Sequence, residues 1–117
     1  MPAALPAMDA VVPATAWTTL TQRKLYLRHP SSVFDTGYFQ SWSNLTGALK
    51  TTVVALETPT SCNIGYTDIK TSKSIGHSSR LPVGGTFQMN VTNAYVGVRA
   101  STYSTEGLGT LRVQLGR

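Results

Sequence analysis

The 117-residue sequence has a single cysteine, two histidines, no run of five like charges and no long apolar segment. Because Cys62 has no second cysteine to pair with, a disulfide within the chain is excluded, and no zinc-binding pattern can be built from these residues. No apolar stretch approaches the roughly eighteen residues needed to span a membrane. The first residues also lack the basic and apolar regions of a secretory signal peptide. We therefore expect no membrane association and a domain stabilised by its own apolar core.

Strong helix formers are also scarce, since the chain has only two Glu and four Lys and most of its Ala lie in the first seventeen residues. In contrast, 17 Thr and 11 Ser together make up close to a quarter of the sequence. Thr is β-branched and suits the half-exposed surface of a pleated sheet. The composition therefore predicts an all-β protein.

The N-terminal residues, MPAALPAMDAVVPATA, predict an extended arm over residues 1–16, followed by a single domain over residues 17–117. Proline disfavours a helix here and favours extended or polyproline conformations. Such an arm either folds back on its own domain or is held by neighbouring subunits of an assembly, and we favour the second. The apolar residues expected to contact the partner are Ala4, Leu5, Val11 and Val12.

Alternation of apolar and polar residues after the arm predicts six to eight short strands, spaced roughly ten residues apart. The alternation is clear in Leu111, Val113 and Leu115 near the C-terminus. This spacing is typical of an antiparallel β-sandwich or barrel, and we predict a jelly-roll-like sandwich. The expected interruptions are turns at residues 44–47 and at Asn93, and a polar loop over residues 70–80.

The potentially reactive residues form no recognisable catalytic pattern. The carboxylates are too scattered to nominate the flanking pair of a glycosidase, and no GxSxG motif is present. Gly84-Gly85 is followed by no predicted helix whose N-terminus could hold a phosphate. We therefore predict a protein that is not an enzyme and that has no catalytic residues, cofactor or metal.

The net charge of +5 is spread along the chain. A positive domain suits an acidic protein surface, a membrane or a polyanion. Aromatic and basic residues are only weakly interleaved, so we expect no specific nucleic-acid binding. Among residues that could form surface contacts, Tyr38, Trp42 and Tyr103 would either line a sugar-binding platform or pack in the core, and Arg99 is expected beside Tyr103 on an outer face.

Residues 33–117 resemble the small, Thr- and Gly-rich β proteins of tailed-bacteriophage virions. The resemblance is carried by the turn LPVGGT at residues 81–86, the strand VGVRA at 96–100 and the closing strand GTLRVQL at 109–115. The bend DTGY at residues 35–38 contributes less.

This resemblance implies a β-sandwich with a structural or adhesive role on a virion. The function expected first is that of a capsid decoration (cement) protein, made in the host cytoplasm and located on the capsid surface. Its partners would be the major capsid protein and further copies of itself, and its positive charge would suit an acidic capsid exterior. The alternatives are a tail or baseplate component and a carbohydrate-binding adhesion module.

Overall fold

The computed structural model describes residues 16–28, 40–58, 60–102 and 106–117, and within these ranges the chain forms six β-strands and no helix. All pairings between neighbouring strands are antiparallel. The strands are β1 (Trp17–Leu27), β2 (Gln40–Leu56), β3 (Cys62–Asp68), β4 (Lys73–Leu81), β5 (Thr86–Ser101) and β6 (Gly107–Gly116).

The strands form one hydrogen-bonded sheet in the order β1–β6–β2–β5–β3–β4, which is folded into two layers. The 17-residue β2 and the 16-residue β5 each contribute to both layers. The front layer consists of β1, β6, residues 48–56 of β2 and residues 86–91 of β5. The back layer consists of residues 40–42 of β2, residues 96–101 of β5, β3 and β4.

The sheet bends from one layer into the other where three residues adopt positive φ values. Asn44 (φ 57°) and Gly47 (φ 140°) lie within the irregular part of β2, and Asn93 (φ 48°) lies in the neighbouring part of β5. Asn tolerates the left-handed region better than most residues, and the Asn93 amide donates a hydrogen bond to Oγ1 of Thr46 at 2.8 Å. The prediction that residues 44–47 and Asn93 separate individual strands is therefore wrong, because these residues bend strands that continue through them.

The connectivity is that of a jelly roll. Because β2 and β5 each supply one segment to each layer, the six strands give eight segments when counted by layer. Numbered along the chain, the segments run 1-8-3-6 across the front layer and 2-7-4-5 across the back layer. This is the order of two Greek keys wound into a jelly roll. The predicted all-β, antiparallel, jelly-roll-like sandwich is confirmed.

The core lies between the two layers, and Tyr66 of β3 joins them. Its ring centroid is 4.8 Å from that of Phe87, which belongs to the front part of β5. Its hydroxyl lies 2.7 Å from Oγ1 of Thr51 in β2 and donates to the Phe87 carbonyl oxygen at 3.1 Å. The predicted alternation is confirmed by the buried apolar residues, which include Leu27, Leu49, Val53, Cys62, Ile64, Val96, Val98, Leu111, Val113 and Leu115.

The polar loop predicted over residues 70–80 is wrong, since most of that segment forms β4 at the edge of the back layer. The register of β4 against β3 shifts twice, and Arg80 has a positive φ of 58°. The Arg80 amide donates to Oδ1 of Asn63 at 3.0 Å. Bulges and charged residues are common on edge strands because they discourage pairing with other chains. The polar composition of β4 thus reflects its edge position.

Candidate functional site

The outer face of the front layer is polar and basic. Strand register places Lys50 of β2 opposite Gln114 of β6, and Thr52 opposite Arg112. On the far side of β6, Gln22 of β1 lies opposite Arg112. The β2 and β6 residues alternate along their strands with buried residues of the core, so their side chains point away from it, and Gln22 of β1 is exposed. We define the cationic face by Gln22, Lys24, Lys50, Arg112 and Gln114.

Trp17 supports the lysine of this face. The Nζ atom of Lys50 lies 4.0 Å from the centroid of the Trp17 ring, and both residues are half-buried. A cation over an aromatic ring gains about 0.5–1 kcal/mol at an exposed site, so the ring favours one position of the ammonium group. Gln114, which lies opposite Lys50, donates a long 3.5 Å hydrogen bond to Thr19. The result is a row of ordered polar side chains across three strands.

Arg112 has an unsatisfied donor. Its Nε atom is buried, and within the described part of the chain it has no hydrogen-bond partner. Thr52 and Gln22, which lie opposite Arg112 on either side, have polar side chains that carry no negative charge. Buried polar atoms are usually hydrogen-bonded, so an unpaired guanidinium nitrogen is an unusual feature. Because the Nε atom is buried, an acceptor from outside the chain would have to contact the terminal Nη atoms of this guanidinium.

The end of the front layer where β1 stops is different, because carboxylates lie there. Lys24 forms an ion pair with Glu57, which follows β2. The hydroxyl of Tyr26 donates to Oε1 of Glu106 at 2.9 Å. This hydrogen bond is the main reason that the pKa of Tyr26 is raised, with smaller contributions from desolvation and from the negative charge of Glu106. The cationic face therefore has an acidic border at this end.

At the opposite end of the front layer, the first residues of β1 form an open edge, with no strand paired on their outer side among the described residues. Among the described strands, β1 and β4 are the outermost. The first five residues of β1, WTTLT, carry no charge and contrast with the charged, bulged β4. Ala16 exchanges two backbone hydrogen bonds with Arg117, at 3.1 and 3.4 Å, which fixes the pairing of β1 with β6 at this corner. In an antiparallel ladder alternate residues direct their N–H and C=O groups away from the partner strand, here Trp17 and Thr19.

The contact residues that were predicted from the sequence are not among the residues that define the cationic face. Trp42 lies opposite Val96, is half-buried and packs against the core, so it does not form an exposed platform. Arg99 lies opposite Gly65 on the outer side of the back layer and is half-buried. The other predicted contact residues lie outside the described residues: Tyr38, Tyr103 and the arm residues Ala4, Leu5, Val11 and Val12.

The sequence did not predict the cationic face, although part of the signal was present. Lys50 and Arg112 occupy the polar positions of clearly alternating strands, so their outward orientation follows from the pattern. Their proximity does not, because it depends on the register between β2 and β6, which lie about sixty residues apart in the chain.

The chemistry of the buried residues is limited. Cys62 is buried, and burial raises the pKa of its thiol to about 11, which makes it a poor nucleophile at neutral pH. The described residues contain no group of three or more His, Cys, Asp or Glu side chains placed to hold a metal ion. They also contain no helix of the length and hydrophobicity needed to cross a membrane.

No protein-family model matches this sequence, and comparison with curated proteins and with solved structures gives no match either. The described features that bear on function are the jelly roll, its open edge and its cationic face.

Proposed function

We propose that the protein is a non-enzymatic structural component of a tailed-phage virion, and that it acts as a decoration (cement) protein that bridges capsid subunits on the head surface. The observation that carries this proposal is the position of Ala16, which joins residues 1–15 to the open edge of the front layer. An arm that leaves the domain at an exposed edge can extend to a neighbouring subunit without first crossing its own core.

The fold is compatible with this role. Jelly rolls are common in virus capsids and in lectins, and their two packed layers make a rigid block of small size. A shared fold does not specify a function, so the jelly roll supports the proposal by analogy alone. The contact chemistry has to come from the surface and the arm.

The arm would bind by combining backbone pairing with apolar contacts. An extended segment can add a strand to an exposed sheet edge of a neighbour, and alternate side chains then fill pockets beside that edge. In this arm Leu5, Val11 and Val12 are the largest of the proposed contact residues, with Ala4 beside Leu5. Complete burial of a Val or Leu side chain contributes about 1.5–3 kcal/mol, so loss of the arm should weaken binding by at least tenfold.

Deletion of residues 1–14 tests the arm. Wild-type and shortened proteins are titrated onto purified empty heads of the phage that encodes the chain, and occupancy is measured after sedimentation. We expect the shortened protein to keep its β-sheet circular dichroism and to lose most of its occupancy. The full-length variant Val11→Ser/Val12→Ser should show an intermediate loss, since the backbone pairing is retained. Undiminished occupancy of the shortened protein would show that the arm makes no contribution.

A further inference from the structure

Lys50 and Arg112 are the two cations on the neighbouring strands β2 and β6 of the cationic face. Arg112 lies opposite Thr52 in the pairing of β6 with β2, and Lys50 is two residues before Thr52 on the same face. Side chains in such a diagonal relation are about 7–8 Å apart at the Cα atoms, within reach of one another for long residues. The Lys50 ammonium lies over Trp17, which pairs with Gly116 of β6, so the two cations offer separate contact points on one face.

Neither cation has an acidic partner within the described residues. The ammonium group of Lys50 lies over the Trp17 ring, and the buried Nε of Arg112 has no hydrogen-bond partner there. Lys24, by contrast, is already paired with Glu57. Guanidinium groups bind carboxylates in a bidentate manner through charge-assisted hydrogen bonds. Through its terminal Nη atoms, Arg112 could therefore bind a partner with negatively charged oxygens.

We propose that the cationic face is a docking surface for a carboxylate-rich protein surface, with Arg112 and Lys50 as its central contacts. This inference rests on the proposed function, because it identifies the part of the molecule that would face an acidic capsid exterior. The Gln and Thr side chains around the two cations supply further hydrogen-bond donors and acceptors at the rim.

The composition of the face favours a protein partner over a nucleic acid. Binding of single strands uses exposed aromatic rings, interleaved with cations, on which bases stack. Here one side of the Trp17 ring is covered by Lys50, and the exposed Tyr26 lies at the acidic border beside Glu106. Carboxylates at that border would repel a phosphate backbone crossing the sheet. A folded partner can instead match positive and negative regions of the face separately.

The first experiment measures binding of the full-length protein to fluorescein-labelled poly-L-glutamate by anisotropy at low and physiological ionic strength. We expect Lys50→Gln/Arg112→Gln to weaken binding at least tenfold. The matched control is Lys70→Gln/Lys73→Gln, which also removes two positive charges, but from exposed positions at the β3–β4 hairpin of the back layer. This control should weaken binding less than threefold. Equal losses in the two double variants would overturn the proposal, because net charge alone would then explain binding.

Two further measurements test whether the binding is specific. Arg112→Lys retains the charge but not the bidentate geometry, and we expect an intermediate affinity with unchanged thermal unfolding. An oligothymidylate probe should bind more weakly than poly-L-glutamate at the same ionic strength. Tighter binding of oligothymidylate that also depends on Lys50 and Arg112 would assign the face to nucleic acid and overturn the protein partner.

Binding to empty heads separates this inference from the proposed function. If wild type binds heads and Lys50→Gln/Arg112→Gln binds equally well, the docking surface is wrong and the decoration role stands. If wild type does not bind heads but the selective loss on poly-L-glutamate is observed, the decoration role is wrong and the recognition of carboxylates stands.

Discussion

The hydroxyl group of Tyr66 should be one of the main polar links between the two layers, and its removal gives a quantitative test of the jelly roll. Tyr66 and Thr51 are both fully buried, and their side-chain oxygens are 2.7 Å apart. The Tyr66 hydroxyl also lies within hydrogen-bonding distance of the carbonyl oxygens of Phe87 (3.1 Å) and Leu49 (3.4 Å). The substitution Tyr66→Phe deletes these contacts and leaves the Thr51 hydroxyl buried without its partner.

The expected cost follows from that geometry. A buried polar group that loses its partner costs about 1–3 kcal/mol, so we expect Tyr66→Phe to lower the free energy of unfolding by about 2 kcal/mol. For a domain of this size, the corresponding decrease in Tm is on the order of 10 °C. Thr51→Val should cost less, about 1 kcal/mol, because the Tyr66 hydroxyl keeps the Phe87 carbonyl as an acceptor.

A double-mutant cycle makes the test specific. Tyr66→Phe/Thr51→Val leaves neither hydroxyl unpaired, so its cost should fall short of the sum of the single costs by about 1 kcal/mol. The measurement is urea unfolding followed by circular dichroism. Tyr26→Phe is the matched control, because it removes an exposed hydroxyl bonded to Glu106 and should cost less than about 0.5 kcal/mol. A Tyr66→Phe cost equal to that of the control, or additive single costs, would refute the proposed link between the layers.

Two other predictions concern the bend and the core. Gly47→Ala should destabilise the protein by more than about 3 kcal/mol, because Gly47 has a φ of 140° and an added Cβ would collide with the Gly116 carbonyl oxygen. Gly84→Ala should cost only about 1 kcal/mol of backbone strain, because Gly84 has a φ of 89° but open space around its Cβ position. Similar unfolding midpoints for the two variants would contradict this prediction. Cys62, whose thiol pKa is raised from 9.0 to about 11, binds its proton more tightly in the folded chain, so its contribution to stability is complete below pH 9 and is lost as the pH rises towards 11. The difference in unfolding free energy between wild type and Cys62→Ala should therefore decrease over that interval, and a constant difference would contradict burial of the thiol.

Much of the fold could be predicted from local patterns. Alternation near the C-terminus predicted a strand with Leu111, Val113 and Leu115 on one face, and all three are buried, since a strand with one face on a core has a sequence period of two. The continuation of β2 and β5 from one layer into the other could not be predicted in this way. Asn44 and Asn93 carry the usual signals of a turn, and only the pairing of β2 with β5 makes them bends within longer strands.

The candidate site depended even more on long-range pairing. Lys50 and Arg112 are single cations in separate segments, and each alone is typical of a solvated strand surface. They lie on one face of neighbouring strands because β6 pairs with β2 in the front layer. Long-range strand order of this kind is set by the complete topology and leaves no trace in a short sequence window.

The most direct test of the central claim is sedimentation of the full-length protein with purified empty heads of the tailed phage that we propose as its source. If the protein is a decoration component, binding will saturate at a fixed number of copies per head, and saturated heads will resist heat or chelator better than bare ones. Absence of saturable binding to heads, with the protein folded and at micromolar concentration, would contradict the decoration role.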